Sequence, residues 1–525
     1  MSGPDTAGAR NRRVLLAALL LFASLTYLWA LPRDLPHSPG SDEVDFVLIA
    51  AQIAASGDLN PHWFGHPGST FLYPYAGALY AANAVANSGP WIGAAPGLPN
   101  YLERNRGTAI LAGRVVSAVY AVLALWLVVL VGDRAFGAPV GIVGGWFALL
   151  SPLTLDNASM ARTDGAGLFF GFLAMWALLR LLQEPSRGAR VLAGLTLGLA
   201  IATRYFLAGL LPLLVVVEVV LAQRAGREGR RPDLAPATLG LACVPLGIVL
   251  GAPFLVTEIP TVLDSLAHET RSTHPGADGL DYFGNLAWYL RVGLPRSVSW
   301  AILALAALGA GRAVLQRRAA PLLLLAFVAI FLGGISFASL HWGRWLVQIL
   351  PILCLFAAAA LVCGAGRLAS LVSASAAVTT AAVLIAVVAV SAPPAWRYVT
   401  FARMQAAPST REHARTWIVE NLEPGRRIAA DLYTAPLQDT PFENTDYVFS
   451  WAQVVDAPED LRDRGYDVVM VSSQVHRRFL GQPARYPKEV AFYRTLFRKH
   501  DLLAEFRPGP DGRGPVIRLY RLAPF

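Results

Sequence analysis

The sequence predicts an α-helical polytopic membrane protein of about 11 transmembrane helices, ending in a small extracytoplasmic α/β domain. Three observations carry this. Of 525 residues, 55% are hydrophobic and only 15% charged, a balance that an ordinary soluble surface cannot accommodate. Apolar runs of about 20 residues, the length that crosses the hydrocarbon core, recur between residues 14 and 392. Beyond Pro393 and Pro394 charges become frequent and the pattern turns to alternating helix and strand. The same composition excludes other classes. Cys243, Cys354 and Cys363 all lie in apolar runs, which rules out a disulfide scaffold. The net charge of +9 comes almost wholly from arginines scattered between apolar segments, so it reads as membrane topology and no nucleic-acid partner is expected.

The first span, 14–31, follows Arg10, Arg12 and Arg13. Read as a signal peptide it would lack a small-x-small cleavage site before Pro32, so it is taken as a crossing. Further crossings are predicted at 109–131, 137–154 and 165–182. The run 189–222 would stretch roughly 50 Å as one helix, and Thr203, Arg204 and Tyr205 interrupt it, so it divides into two. Crossings at 236–256, 294–311, 320–340, 344–364 and 370–392 complete the set. Parity then settles 69–88. With the N-terminus in the cytoplasm, the turns at Arg134, Arg187 and Arg367 and the clusters Arg224, Arg227, Arg230, Arg231 and Arg312, Arg317, Arg318 all fall inside only if 69–88 does not cross. That stretch is therefore expected as an interfacial helix on the outer surface. Residues 1–392 form the predicted membrane domain, with 32–108 a long first external loop. Residues 393–525 form the soluble domain, with helices near 409–421 and 487–499 and strands near RRIAADLY, YDVVMVSS and PVIRLYRL.

Ionisable groups beside spans are costly, and here they gather on the side expected to be outside the cell. They are Asp42 and Glu43 after the first span, Arg162 and Asp164 ahead of 165–182, Arg204 in the broken run, His268 and His274 in the 257–293 loop, and His341 and Arg344 late in the bundle. A carboxylate that takes a proton from a hydroxyl, next to an arginine that holds a phosphate bidentately, suits transfer from a lipid-linked phosphate donor. A divalent metal, zinc or manganese, is a reasonable addition with imidazole and oxygen ligands. No glycine fingerprint for a nucleotide is present, so no nucleotide cofactor is expected.

SDEVDF, GDLNPHWFGHPGSTFLYPYAGALY, GRVVSAVYAVLALWLVVLVGDRAFG, SMARTDGAGLFF and HWGRWLVQILPIL, in this order, resemble the successive signatures of GT-C glycosyltransferases. The branch is the one that contains the protein O-mannosyltransferases and the lipid A aminoarabinose transferases. The resemblance implies a polyprenyl-phosphate sugar donor, a lipid, glycan or protein acceptor, and a site on the outer face of the cytoplasmic membrane. It implies Asp42 as catalytic base with Glu43 its neighbour, Asp164 as the second acidic motif, and Arg344 as donor phosphate ligand. It implies His66, beside Pro67, as a substrate or metal residue. By their side of the membrane and chemistry alone, Arg204 is a second phosphate-binding candidate, and His268 and His274 are further substrate or metal candidates. The aminoarabinose branch carries glutamate and lysine before its proline, where this chain has Gly65 and His66.

Each residue also has a plainer reading. Asp42 and Glu43 fit a helix start, Asp164 a helix cap, Arg204 and Arg344 snorkelling to headgroups, and the histidines loop packing. The rival functions are a secondary transporter or flippase, which would place its site near the midplane in repeated halves, and a non-catalytic subunit acting through its C-terminal domain.

Overall fold

The computed structural model describes residues 4–37, 41–66, 68–87, 97–229, 235–269, 274–371, 375–510 and 512–522, which leaves Pro67, Arg230 and Arg231 outside the described residues. By packing, the chain divides into two compact units. The first holds Met1–Leu31, Phe46–Thr270 and Asp281–Val399; the second holds Pro32–Asp45, Arg271–Leu280 and Thr400–Phe525.

The first unit is a multi-pass helical bundle. Its chain order begins with α1 (Pro4–Ala30), α2 (Ser41–Ser56, whose first turn belongs to the second unit), α3 (Ser69–Asn87), α4 (Leu98–Arg104) and α5 (Arg106–Phe136). It continues with α6 (Ala138–Leu149), α7 (Pro152–Ala158), α8 (Asp164–Gln183), α9 (Arg187–Thr203), α10 (Leu211–Arg227) and α11 (Ala235–Gly251). Next come α12 (Phe254–Thr257), α13 (Ile259–Glu269), α14 (Tyr282–Trp288), α15 (Leu294–Ser297), α16 (Trp300–Gln316), α17 (Ala319–Ser336), α18 (Leu350–Leu371) and α19 (Ala376–Ala406).

Among the described residues, seven helices are long and apolar enough to cross a membrane, or nine when two bent pairs each count as one span. Nine of the eleven expected crossings are among them. The remaining two, α9 and α11, have 17 residues each, about 25 Å of helix. The 137–154 span is a pair bent by 75° ahead of Pro152, which cannot donate to the preceding turn. The 294–311 span is the far arm of a pair bent by 118°, and it starts at Trp300 under a Ser299 cap. The late span expected from 344 starts at Leu350, because Gly343–Gln348 is a 3-10 turn. The last helix runs on through Pro393 and Pro394 to Ala406, so the second unit resumes at Thr400 and not at 393. The 69–88 stretch is helical as α3 and is not among the candidate spans.

The broken run is a hairpin. Arg204 adopts extended backbone angles (φ −151°, ψ 126°) between α9 and a 3-10 turn over Tyr205–Leu210. Near the open end, Arg190 on α9 forms a two-pronged ion pair with Glu218 on α10, at 2.7 and 3.0 Å. Helices α9 and α11 then run parallel with their backbones touching. A Cβ on Gly194 would strike the Gly240 carbonyl, one on Gly198 the Val244 carbonyl, and one on Gly251 the Ala202 side chain at 2.9 Å. Small residues at every fourth position let two membrane helices approach this closely.

The arginine-rich segments lie together at one end of the bundle. Arg12 pairs with Asp133, Arg134 with Glu184 at 3.1 Å, and Arg224 donates to the Leu182 carbonyl at 2.9 Å. Arg318 reaches the Ala135 carbonyl at 3.4 Å. Helix α8 runs from Asp164 at the opposite end to this one, about 30 Å for its 20 residues.

The second unit is α/β. Five strands, β1 (Ile428–Asp431), β2 (Asp446–Val448), β3 (Val468–Ser472), β4 (Leu502–Phe506) and β5 (Ile517–Arg521), form a sheet of order β2-β1-β3-β5-β4. β1 is parallel to β2 and β3, with Ile428 opposite Val468, and β5 is antiparallel to β3 and β4. Helices α20 (Thr410–Asn421), α21 (Pro458–Asp463), α22 (Ser473–Leu480) and α23 (Pro487–Lys499) complete it. Alternation sorts the strands: Ile428, Ala430, Val468, Met470 and Leu519 pack with Ala414 and Ile418 of α20. Ala429, Val469, Val471 and Tyr520 pack with Phe479 of α22 and Tyr493 of α23. The three expected strands and two expected helices are present; β2, β4, α21 and α22 add to them.

Candidate active site

Four segments far apart in sequence bring their ionisable groups together at the end of the bundle opposite the arginine-rich one. Asp164 opens α8 and is 2% exposed. Thr163 stands as N-cap without a side-chain cap bond, and the Asp164 carboxylate turns to Arg204, with which it forms an ion pair. Arg204 also donates to Thr163 Oγ1 at 3.3 Å and lies over the Phe206 ring at 5.4 Å. Arg162 stands 3.6 Å from the other Asp164 oxygen and 3.2 Å from Asp156. Arg344 and His66 are both near enough for their charges to act on the Asp164 carboxylate. The sequence-derived candidates Asp164, Arg204, Arg344 and His66 thus converge within one unit.

Local structure explains the convergence. The break after Thr203 releases Arg204 from the helix and aims it at α8, where Gly167 leaves room: a Cβ there would meet Arg204 Cδ at 2.9 Å. The loop ahead of α3 is stitched to the same break. Tyr205 Oη donates to the Phe64 carbonyl at 2.9 Å, Gly68 N to the Thr203 carbonyl at 3.3 Å, and the Thr70 and Thr203 hydroxyls meet at 2.7 Å. His66 is held between Trp63 and Phe46, with ring centroids 5.5 and 6.3 Å away. Arg344 sits in the 3-10 turn ahead of α18, with its guanidinium 5.7 Å from the Trp342 ring. That turn also supplies Gln348, buried at 3% exposure, whose amide lies 3.4 Å from the Asp164 carbonyl. Gln348 lines a narrow, mostly apolar cleft with Gly171, Met175, Leu207 and Phe327.

The other candidates lie on other elements. His268 is exposed on α13, whose last residue, Glu269, comes within 3.1 Å of where a Gly65 Cβ would be. His274 belongs to the second unit, with its ring edge-on to Phe449 at 5.8 Å. His341 is 3.0 Å from Asn285 Oδ1 and 4.1 Å from the Trp288 ring. Asp42 and Glu43 occupy the first turn of α2 within the second unit; Glu43 is fully buried and Asp42 half-buried. Burial and the Asp42 charge together push the Asp45 carboxyl above the usual carboxylate range. Sequence reasoning gave Arg162 no role and passed over Gln348; the ARTD tetrapeptide signalled the first, while a glutamine within an apolar run gives no comparable signal.

The donor set around Asp164 does not fit a metal. Both carboxylate oxygens face guanidinium groups, and among the described residues no group of three or more His, Cys, Asp or Glu side chains is placed to hold an ion.

Residues 104–249 match the dolichyl-phosphate-mannose-protein mannosyltransferase family model. Among curated proteins none matches the chain. Among solved structures, ArnT from Cupriavidus metallidurans in the apo state is similar at TM-score 0.54 and 16% identity, over 98% of each chain. The same protein bound to undecaprenyl phosphate gives 0.51 and 17%, over 96% of this chain and 97% of that one. The Archaeoglobus fulgidus oligosaccharyltransferase, solved with zinc and sulfate, gives 0.51 and 11%, over 95% of this chain and 72% of that one. At these identities the likeness establishes a shared fold.

Proposed function

We propose that the chain, a GT-C superfamily member by fold, is a membrane glycosyltransferase. It moves a sugar from a polyprenyl monophosphate to an acceptor on the extracytoplasmic side. One observation carries the reading: a buried carboxylate set among arginines at one end of the bundle, with the arginine-rich surface segments at the other. The positive-inside bias puts the arginine-rich end in the cytoplasm and the site outside. The family match over 104–249 and the undecaprenyl phosphate bound by the Cupriavidus protein favour a lipid-phosphate donor.

In the proposed reaction Asp42 takes the proton of an acceptor hydroxyl, whose oxygen then bonds to the anomeric carbon from the face opposite the phosphate. The bond from that carbon to the phosphate oxygen breaks, and the lipid monophosphate departs with the electron pair and inverts the centre. Arg344 and Arg204 stabilise the charge that grows on it, because preorganised cations in a dry site need little rearrangement as charge develops. Arg162 faces the second Asp164 oxygen, and Asp164 in turn orients Arg204. Glu43 is assigned to the catalytic set beside Asp42, and His66, His268 and His274 to substrate contacts, His66 foremost because its charge acts on Asp164.

Incubating the purified protein with a panel of polyprenyl-phosphate sugars and an acceptor extract, and following free lipid phosphate, tests the proposal. Release coupled to covalent labelling of an acceptor is expected. Vesicle uptake of a labelled solute with no lipid phosphate released would instead establish the transporter reading.

A further inference from the structure

We infer that the C-terminal domain positions Asp42 by clasping the chain just ahead of it, through the Asp34–Arg513 and His37–Glu412 pairs. The inference rests on the reading of Asp42 as the base. Residues Pro32–Asp45 pack as part of the second unit. Three side-chain ties hold them. Arg33 donates to Gln405 Oε1 at 2.6 Å, Asp34 pairs with Arg513, and His37 Nδ1 lies 3.3 Å from Glu412 Oε1.

The ties are built into the domain. The Arg513 side chain donates from Nε to the Ala407 carbonyl at 2.6 Å, and its own carbonyl accepts from Thr410 N at 2.9 Å. Thr410 Oγ1 in turn donates to the Pro515 carbonyl at 2.6 Å. The second anchor, Glu412, lies on the first turn of α20. The Asp34 and Arg513 side chains are 4% and 14% exposed, so water screens their attraction little. Asp34 has a left-handed backbone (φ 55°), a conformation that aspartate tolerates better than most residues with a side chain. Other charges reinforce the clasp. The His37 hydrogen bond, aided by the charges of Arg415 and Arg513, holds the Glu412 carboxyl below its ordinary range, and Arg411 faces Asp34 as well.

His37 precedes Asp42 by five positions, so a fixed His37 limits where the first turn of α2 begins and where its carboxylates can aim. A shift of about 1 Å in a reacting group costs roughly 100-fold in rate. Asp34, His37, Glu412 and Arg513 are therefore positioning residues, which touch neither donor nor acceptor.

The test uses the purified full chain and release of lipid phosphate from whichever polyprenyl-phosphate sugar it accepts. Arg513→Met and Glu412→Gln should lower kcat by roughly 10- to 100-fold and leave the donor KM unchanged, since neither residue is proposed to touch the donor. The charge-exchanged double variant D34R/R513D should recover most of the loss, while a merely destabilised domain would lose active protein without the split between kcat and KM. Wild-type turnover in both single variants would overturn the inference, as would a well-folded double variant as slow as Arg513→Met. If Arg513→Met fails to fold, Glu412→Gln decides alone by its kcat. An active Asp42→Asn would instead overturn the base assignment. An inactive one with both clasp variants at full rate would overturn the clasp only.

Discussion

Asp164 and Arg204, 40 positions apart in the chain, form an ion pair in which the side chains are 3% and 5% exposed. Charges so deeply placed are bound as a unit: losing one partner is far costlier than losing both. Arg204→Met should therefore cost about 3–5 kcal/mol of stability, read as a lowered thermal midpoint in detergent. The double variant D164N/R204M should melt close to wild type and still transfer no sugar, because the cation proposed to face the phosphate remains absent.

Asp42 sits half-buried on the first turn of α2, so exchanging its carboxylate for an amide changes little in packing. Asp42→Asn should lower kcat by roughly 10²- to 10⁴-fold with an unchanged melting curve. Lipid-phosphate release and differential scanning fluorimetry together check both halves.

Gly194 faces the Gly240 carbonyl across the α9–α11 seam with no room for a Cβ. Gly194→Leu should destabilise the bundle by about 1–3 kcal/mol through overpacking and should lower turnover further by shifting the break that carries Arg204. Gly188, near the start of α9 with open space around it, is the control: Gly188→Ala should leave both melting and rate intact.

In the second unit two buried groups titrate in opposite senses. Burial pushes Asp431 up to about 7, even though Trp451 N and Tyr493 Oη both donate to it. Burial, with help from Arg518 and Arg477, pulls His476 down to about 4, and its ring packs on Tyr493 and Phe497. Asp431 therefore contributes stability that is complete below pH 3.8 and is lost as pH rises through 7. His476 contributes stability that is complete above pH 6.5 and is lost as pH falls through 4. The two slopes oppose each other in the wild type. Asp431→Asn should leave a domain that weakens on acidification, and His476→Phe one that weakens as pH rises, measured by hydrogen exchange of the β1 and β3 amides.

Much of this was legible in the sequence because bilayer physics writes itself in long runs. The split of 189–222 at Arg204 was visible as a polar interruption in a run too long for one crossing, and the structure makes it a hairpin. Strands β1, β3 and β5 announced themselves as apolar stretches between turns; β2 has three residues and no such run. The bends ahead of Pro152 and Trp300 were hidden, since an apolar run looks the same whether its helix continues or turns. Continuation of α19 through Pro393 and Pro394 was equally hidden, because paired prolines usually end a helix. At the site, the ordering of short motifs pointed to Asp164, Arg344 and His66 and the polar break pointed to Arg204, but no pattern in a single sequence tells which loop histidine packs on which ring.

The seam between α9 and α11 has a mechanical meaning. Helices whose main chains interlock cannot slide or roll past each other without collision, so they behave as a single stiff plank. Arg204 is mounted at the tip of that plank, and any breathing that admits a bulky greasy chain has to be taken up by looser seams in the bundle, leaving the cation's aim undisturbed.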